Sequence, residues 1–97
     1  MPRVSDILPQ EEILAQLAEE ATELAQAALK LRRAMGRVGN PTSASFDEAL
    51  EHLHEEMADV IVCENQVYGI DWGVIDKICY SKRGRWEGRL EAGGAVG

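Results

Sequence analysis

Apolar residues recur at spacings of three and four over the stretch from about Gln10 to Met35. Such spacing places the side chains on one face of an α-helix and is typical of a helix that packs against a core. Pro9 suits the first turn of this helix, and Gly36 can end it. The apolar series consists of Ile13, Leu14, Leu17, Ala21, Leu24, Ala28 and Leu31.

A second amphipathic helix is predicted after the loop "GRVGNPTSAS", which is rich in Gly, Ser, Asn and Pro. Ser45 begins this helix, and Glu48, three residues on, completes a capping box. Gly69 is expected to stop it. Its apolar positions are Leu50, Leu53, Met57, Val60, Ile61, Val67 and Tyr68.

A short third helix is predicted after Asp71, which can cap it, with an end near Gly84. No segment shows the alternation of a β-strand, and the tail "EAGGAVG" is expected to be disordered. The predicted fold is therefore all-α, one domain over residues 1–97 with its core at about 10–84 and a basic, then flexible, tail at 85–97. A chain this small buries a modest share of its surface, so we expect the hairpin and short third helix to form a four-helix-type bundle through oligomerisation.

Charge is unevenly distributed over a chain whose net charge is −7. Residues 1–76 hold 5 basic and 15 acidic side chains, a balance of −10, whereas residues 77–97 hold 5 basic and 2 acidic ones, a balance of +3. The acidic bulk argues against nucleic acid as the main partner. No apolar run reaches the roughly 20 residues that a membrane span needs, and the N-terminus lacks a secretion signal, so we expect no membrane partner and a cytoplasmic location.

Acidic residues form matching pairs on the first two helices. With about 100° of rotation per residue, Glu20 lies about 60° and Glu23 about 120° to one side of Leu17. Glu56 and Asp59 stand at the same two angles from Leu53 on the second helix. Each pair is spaced i, i+3, so its members are surface neighbours that flank an apolar stripe.

Two interpretations of these pairs follow. Acidic residues beside an apolar stripe are often a solvated face. If the helices pack as an antiparallel hairpin, however, the two pairs meet, and four crowded carboxylates repel one another by several kcal/mol unless a cation is bound. Carboxylate oxygens suit a hard divalent ion, most plausibly Mg²⁺, with Mn²⁺ as a substitute.

Glu64 is a further acidic residue, and it falls within about 20° of Leu53, inside the apolar stripe. A buried glutamate is rare unless it is paired or coordinates an ion. Three interpretations are open: it extends the metal site, bonds a substrate, or pairs with a cation across an interface.

The paired motif, Glu19-Glu20-x-x-Glu23 followed by Glu56-x-x-Asp59, resembles the EExxE…ExxD signature of MazG-like nucleotide pyrophosphohydrolases, the all-α NTP pyrophosphatase superfamily. The segments "EEATELAQAALKLRR" and "HEEMADVIV" are similar to the two motif helices of that family, and the resemblance covers about residues 11–85. The 32 residues between Glu23 and Glu56 are somewhat more than the usual family spacing. The basic pattern at the C-terminus is shorter and less regular than the family's.

The resemblance implies a Mg²⁺-dependent enzyme that cleaves a nucleoside triphosphate between the α and β phosphates, releasing the monophosphate and pyrophosphate. It implies a homodimer or homotetramer and a role in house-cleaning of nucleotide pools. The implied metal ligands are Glu20, Glu23, Glu56 and Asp59. Glu20 and Glu19, the first motif glutamate, are the implied catalytic residues, since a carboxylate can orient or deprotonate the attacking water.

Cationic and aromatic residues near the C-terminus are the predicted substrate contacts. Lys82 is the first choice for the β and γ phosphates, and Trp72, after the turn "YGID", is a candidate to stack on the base. The other candidates for phosphate contact are Lys77, Arg83 and Arg85. By contrast, Lys30, Arg32 and Arg33 are interpreted as structural, because they complement the dipole at the end of the first helix.

Two other functions compete with the enzyme. One is a helical protein-interaction module that needs no metal, and the other is a nucleotide-binding protein without turnover. Within the enzyme interpretation, a narrow dUTP or dCTP pyrophosphatase is an alternative to a broad specificity.

Overall fold

Helices account for the architecture of the protein throughout residues 3–36 and 45–93, which the computed structural model describes. They are α1 (Val4–Ile7), α2 (Gln10–Ala34), α3 (Phe46–Glu64) and α4 (Trp72–Gly93). No strand occurs in these two ranges. The all-α prediction is confirmed, and α1 is an element that the apolar pattern did not predict.

The ends of α2 and the start of α3 lie close to where their sequence signals predict. Pro9 is the N-cap of α2, and Gly36 follows its C-terminus with φ 71°, a conformation that glycine adopts at little cost. At the start of α3, the Ser45 hydroxyl accepts a hydrogen bond from the backbone N–H of Glu48 at 3.1 Å. The predicted loop largely falls on residues 37–44, which lie outside the described residues.

The main packing contact is between α2 and α3. The start of α2 is bonded to the segment just after α3, so the two helices run antiparallel as a hairpin. Its centre is narrow: Ile13, Ala27 and Ala49 are the buried apolar residues of the described chain. Small alanines at the contact let the helix axes approach closely, which brings groups on the flanks of the two helices within reach of each other.

Helix α3, the second of the predicted helices, is shorter than predicted. It ends at Glu64, and Val67 and Tyr68 lie in the turn that follows. The side chain of Gln10 holds this turn: its Nε2 donates to the carbonyl of Gln66 at 3.0 Å, and its Oε1 accepts the N–H of Tyr68 at 2.9 Å. These hydrogen bonds occupy backbone groups that a longer α3 would need for its own hydrogen bonds. The apolar spacing therefore continues past the end of the helix.

The third predicted helix is longer than expected, and its predicted end near Gly84 is wrong. As predicted, Asp71 caps it, with Oδ1 accepting the N–H of Val74 at 3.1 Å. It then continues through Gly84 to Gly93, so part of the predicted disordered tail is helical, while residues 94–97 lie outside the described residues. None of its residues is buried, and no extended contact joins it to the hairpin within the described chain.

No described helix is both long enough and apolar enough to cross a membrane.

Candidate metal centre

Three of the four predicted carboxylates meet at the middle of the hairpin. Oxygen atoms of Glu20 on α2 and of Glu56 and Asp59 on α3 all lie within 4.8 Å of one another. Glu56 is buried, with 9% of its surface exposed, whereas Glu20 is half-buried and Asp59 is exposed. The site is therefore closed on the hairpin side and open toward solvent.

Glu23 stands at the exposed edge of this cluster. The negative charge of Glu20 raises the pKa of the Glu23 carboxyl, and desolvation and the charge of Glu56 add to the shift. The side chain of Glu23 therefore lies near Glu20 and Glu56, but it is outside the group of three whose oxygens lie within 4.8 Å of one another.

The two inner glutamates each leave one buried oxygen without a hydrogen-bond partner: Oε2 of Glu20 and Oε2 of Glu56. On Glu20 the other oxygen accepts a hydrogen bond from Nε2 of Gln16 at 2.7 Å. On Glu56 the other oxygen lies 3.7 Å from Nε2 of His52. In both glutamates, Oε1 thus lies near a polar side chain of the same helix, whereas Oε2 has no hydrogen-bond partner.

An unpartnered buried carboxylate oxygen is costly, because the group has lost water and gained nothing in return. Apart from His52, no basic side chain of residues 3–36 and 45–93 forms an ion pair with the cluster. A cation between the bare oxygens would remove the cost. The all-oxygen set of Glu20, Glu56 and Asp59 is of the kind that suits Mg²⁺ or Mn²⁺ and does not favour a soft ion.

Cys63 lies close to the same cluster without joining its donor set. Burial raises the pKa of its thiol, and the charges of Glu20 and Asp59 raise it further. Both cysteines are unpaired, with Cys63 half-buried and Cys79 exposed. A raised thiol pKa makes Cys63 a weaker nucleophile than an ordinary cysteine, because the thiolate is the reactive form.

A cleft of about 630 Å³ opens beside the acids and runs toward the C-terminal end of α2. Glu23 and Glu56 line the end at the cluster, and Lys30 and Arg33 line the cleft farther along α2. The remaining lining residues are Gln26, Ala27, Leu29 and His52. The sequence interpretation missed this role for Lys30 and Arg33, although their spacing of seven and ten residues from Glu23 was a signal of a shared face.

The predicted phosphate contacts on α4 form a separate group. Lys82 and Arg85 line a groove with Trp86 and Arg89, and this groove shares no lining residue with the cleft. Arg83 lies 3.9 Å from Glu87 on its own helix. Lys77 is exposed on α4, so the described chain does not bring these cations to the acidic cluster.

Trp72 and Glu64 lie together in another groove, of about 270 Å³, with Leu14, Leu17, Val67, Ile70 and Ile75. Glu64 is half-buried and forms no ion pair within the described ranges. Glu19 is exposed on α2 and adds only the smallest of the charge effects on the pKa of Glu23.

No family model, no curated protein and no solved structure matches the chain at a significant level. The resemblance to MazG-like proteins therefore rests on the motif residues of the sequence alone.

Proposed function

We propose that the protein is a Mg²⁺-dependent nucleoside triphosphate pyrophosphohydrolase. The observation that supports this most strongly is the pair of buried, unpartnered oxygens on Glu20 and Glu56, in a cluster completed by Asp59 and Glu23. A cage of carboxylates that is unfavourable when empty suits a divalent ion, and the resemblance of the motif supplies the class of reaction.

Glu20, Glu23, Glu56 and Asp59 would hold the ion. When bound, the ion would neutralise charge on the phosphates and would make the attacking water more acidic. Gln16, which donates to Oε1 of Glu20, and His52, which lies 3.7 Å from Oε1 of Glu56, would help to orient these two ligands.

The reaction consumes one water molecule. The water oxygen attacks the α-phosphorus, and the bond from that phosphorus to the bridging oxygen breaks, so the electron pair leaves on pyrophosphate. The proton released passes to a carboxylate, for which Glu19 and Glu20 are the implied candidates. Phosphoryl chemistry of this kind needs positioning and charge stabilisation more than covalent help from the protein.

Assembly of two or more hairpins, in a four-helix-type bundle, is part of the proposal. None of the residues of α4 is buried, and many large apolar side chains of the described residues are exposed. Leu14 and Ile61, about half exposed, lie on the edge of the hairpin away from Glu20 and Glu56. A second copy covering that edge would leave the acidic cluster open to substrate.

The test is a pyrophosphate-release assay over a panel of nucleoside and deoxynucleoside triphosphates, with Mg²⁺ or with EDTA. We expect release with Mg²⁺ only, and a loss of roughly 100-fold or more in Glu20→Gln. Glu55→Gln is the matched control, because Glu55 is an exposed acid next to Glu56 that points away from the cluster.

Two outcomes would contradict the proposal. Release that survives Glu20→Gln would place the active site elsewhere. Binding of nucleotide with Mg²⁺ but no release with any member of the panel would favour the nucleotide-binding protein without turnover.

A further inference from the structure

We infer that Lys30 and Arg33 form a diphosphate-binding site that receives the β and γ phosphates of the substrate and holds the pyrophosphate product. The inference deepens the proposed function and rests on it for the identity of the substrate. It moves the phosphate contacts from α4, where the sequence pattern put them, to the second half of α2.

The first support is the composition of the cleft. Lys30 and Arg33 line the same cavity as Glu23 and Glu56, so the cavity is acidic at one end and basic at the other. Yet neither cation forms an ion pair with any carboxylate of residues 3–36 or 45–93. Two half-buried cations without anionic partners leave charge in the cleft that a ligand can satisfy.

The second support is distance along the helix. At 1.5 Å of rise per residue, the backbone of Lys30 lies about 10 Å and that of Arg33 about 15 Å beyond Glu23. Long flexible side chains can reach back along this span. An oligophosphate held at the acids through an ion would therefore have room to extend its distal phosphates toward the basic end of the cleft.

The third support is the chemistry of the two side chains. Arginine offers a planar fork of donors that matches phosphate oxygens, and lysine offers a compact point charge. Cleavage between the α and β phosphates develops negative charge on the leaving diphosphate. Cations at that position stabilise the leaving group as well as the bound substrate.

Helix-dipole compensation is the competing explanation, and the chain supplies its own control. Arg32 and Arg33 both lie in the last turn of α2, so both complement the dipole equally. Only Arg33 lines the cleft, whereas Arg32 is exposed and does not. A dipole role predicts equal behaviour of the two arginines, and a phosphate role predicts that they differ.

The experiment measures binding of inorganic pyrophosphate by calorimetry at a fixed excess of Mg²⁺. Four proteins are compared: the unmodified chain, Lys30→Gln/Arg33→Gln, the charge-retaining Lys30→Arg/Arg33→Lys, and Arg32→Gln. We expect the Gln pair to weaken binding at least tenfold, the charge-retaining pair to recover most of it, and Arg32→Gln to match the unmodified protein. Circular dichroism checks that all four keep their helix content.

Turnover provides an independent arm. With a nucleoside triphosphate substrate, the Gln pair should raise KM and weaken inhibition by pyrophosphate by similar factors, while inhibition by the nucleoside monophosphate stays unchanged. Equal weakening of monophosphate inhibition would assign the cations to the α-phosphate and overturn the inference.

Failure of the two proposals is distinguishable. Pyrophosphate binding that depends on Lys30 and Arg33 in a protein without turnover would contradict the enzyme but support the site. Turnover with pyrophosphate binding that is absent, or unaffected by the Gln pair, would support the enzyme and overturn the site.

Discussion

His52 and Glu56 lie one turn apart on α3, with Nε2 of the imidazole 3.7 Å from Oε1 of the carboxylate. The imidazole approaches Oε1, whereas the buried Oε2 of Glu56 has no hydrogen-bond partner. This arrangement is that of a residue that positions a ligand without being one.

Replacing His52 with Ala should weaken Mg²⁺ or Mn²⁺ binding by about tenfold, because Glu56 loses the group that orients it. Isothermal titration calorimetry with the metal ion measures the change in affinity. His54→Ala is the control, since His54 is exposed two residues farther along α3. Equal metal affinity in both variants would show that His52 has no positioning role.

Replacing Glu56 with Gln should stabilise the protein in EDTA and abolish its stabilisation by Mg²⁺. The substitution removes the charge of a buried carboxylate whose Oε2 has no hydrogen-bond partner. In the unmodified protein, Mg²⁺ at 100 times its Kd should add about 2.7 kcal/mol to the free energy of unfolding. Denaturant unfolding with and without Mg²⁺ checks both statements, and a variant that still gains stability from Mg²⁺ would contradict the site.

The contribution of Glu23 to the stability of the metal-free protein should fall as pH rises. Neighbouring charges raise the pKa of Glu23 above the ordinary value of 4.5, so the folded protein binds this proton more tightly than the unfolded chain. The resulting stabilisation is complete below pH 4.5 and is lost as pH rises through the folded pKa. Urea unfolding in EDTA from acid to neutral pH should show a smaller decline in Glu23→Gln than in Glu51→Gln, whose acid lies away from the cluster.

Replacing Tyr68 with Phe should cost about 1 kcal/mol of stability or less and should loosen α1. The Tyr68 hydroxyl donates to the carbonyl of Ser5 at 2.9 Å, and the N–H of Ser5 donates to Oε1 of Gln66 at 3.2 Å. Hydrogen exchange of the backbone amides of residues 5–8 is the measurement. Exchange that is as slow as in the unmodified protein would mean that other contacts hold α1.

Replacing Ile61 with Lys should shift the protein toward monomer. The side chain is 51% exposed on the edge of α3 away from the acids, where a second copy is proposed to pack. Val62→Lys is the matched control, because Val62 is 57% exposed but lies about 100° farther around the helix. Sedimentation velocity distinguishes them, and identical behaviour of the two variants would remove this edge from the interface.

Sequence patterns were most informative where a local signal had one cause. Pro9 and Gly36 bound α2 because each restricts or permits particular backbone angles, whatever the rest of the fold does. The matching i, i+3 spacing of the acids likewise predicted their convergence, since a helix converts spacing into direction. Antiparallel packing of the hairpin then sufficed to bring them together.

Patterns failed where a distant residue decides the outcome. The end of α3 depends on Gln10, more than 50 residues away, and apolar periodicity carries no sign of it. Similarly, Gly84 was expected to end α4, but this glycine has no positive φ, and a glycine inside a helix weakens the helix without ending it. Lys30 and Arg33 were assigned to the dipole because the sequence does not reveal which cations line a cleft.

The side-chain amide of Gln10 also sets the alignment of the two acidic pairs, although it lies about 15 Å along α2 from Glu20. Sliding α2 past α3 by a single turn would shift Glu20 by about 5 Å relative to Glu56, and the acidic side chains would no longer lie together. By gripping the backbone on both sides of Val67, one neutral glutamine keeps the hairpin from slipping. An uncharged residue outside the acidic cluster thus fixes the relative positions of the four acidic side chains.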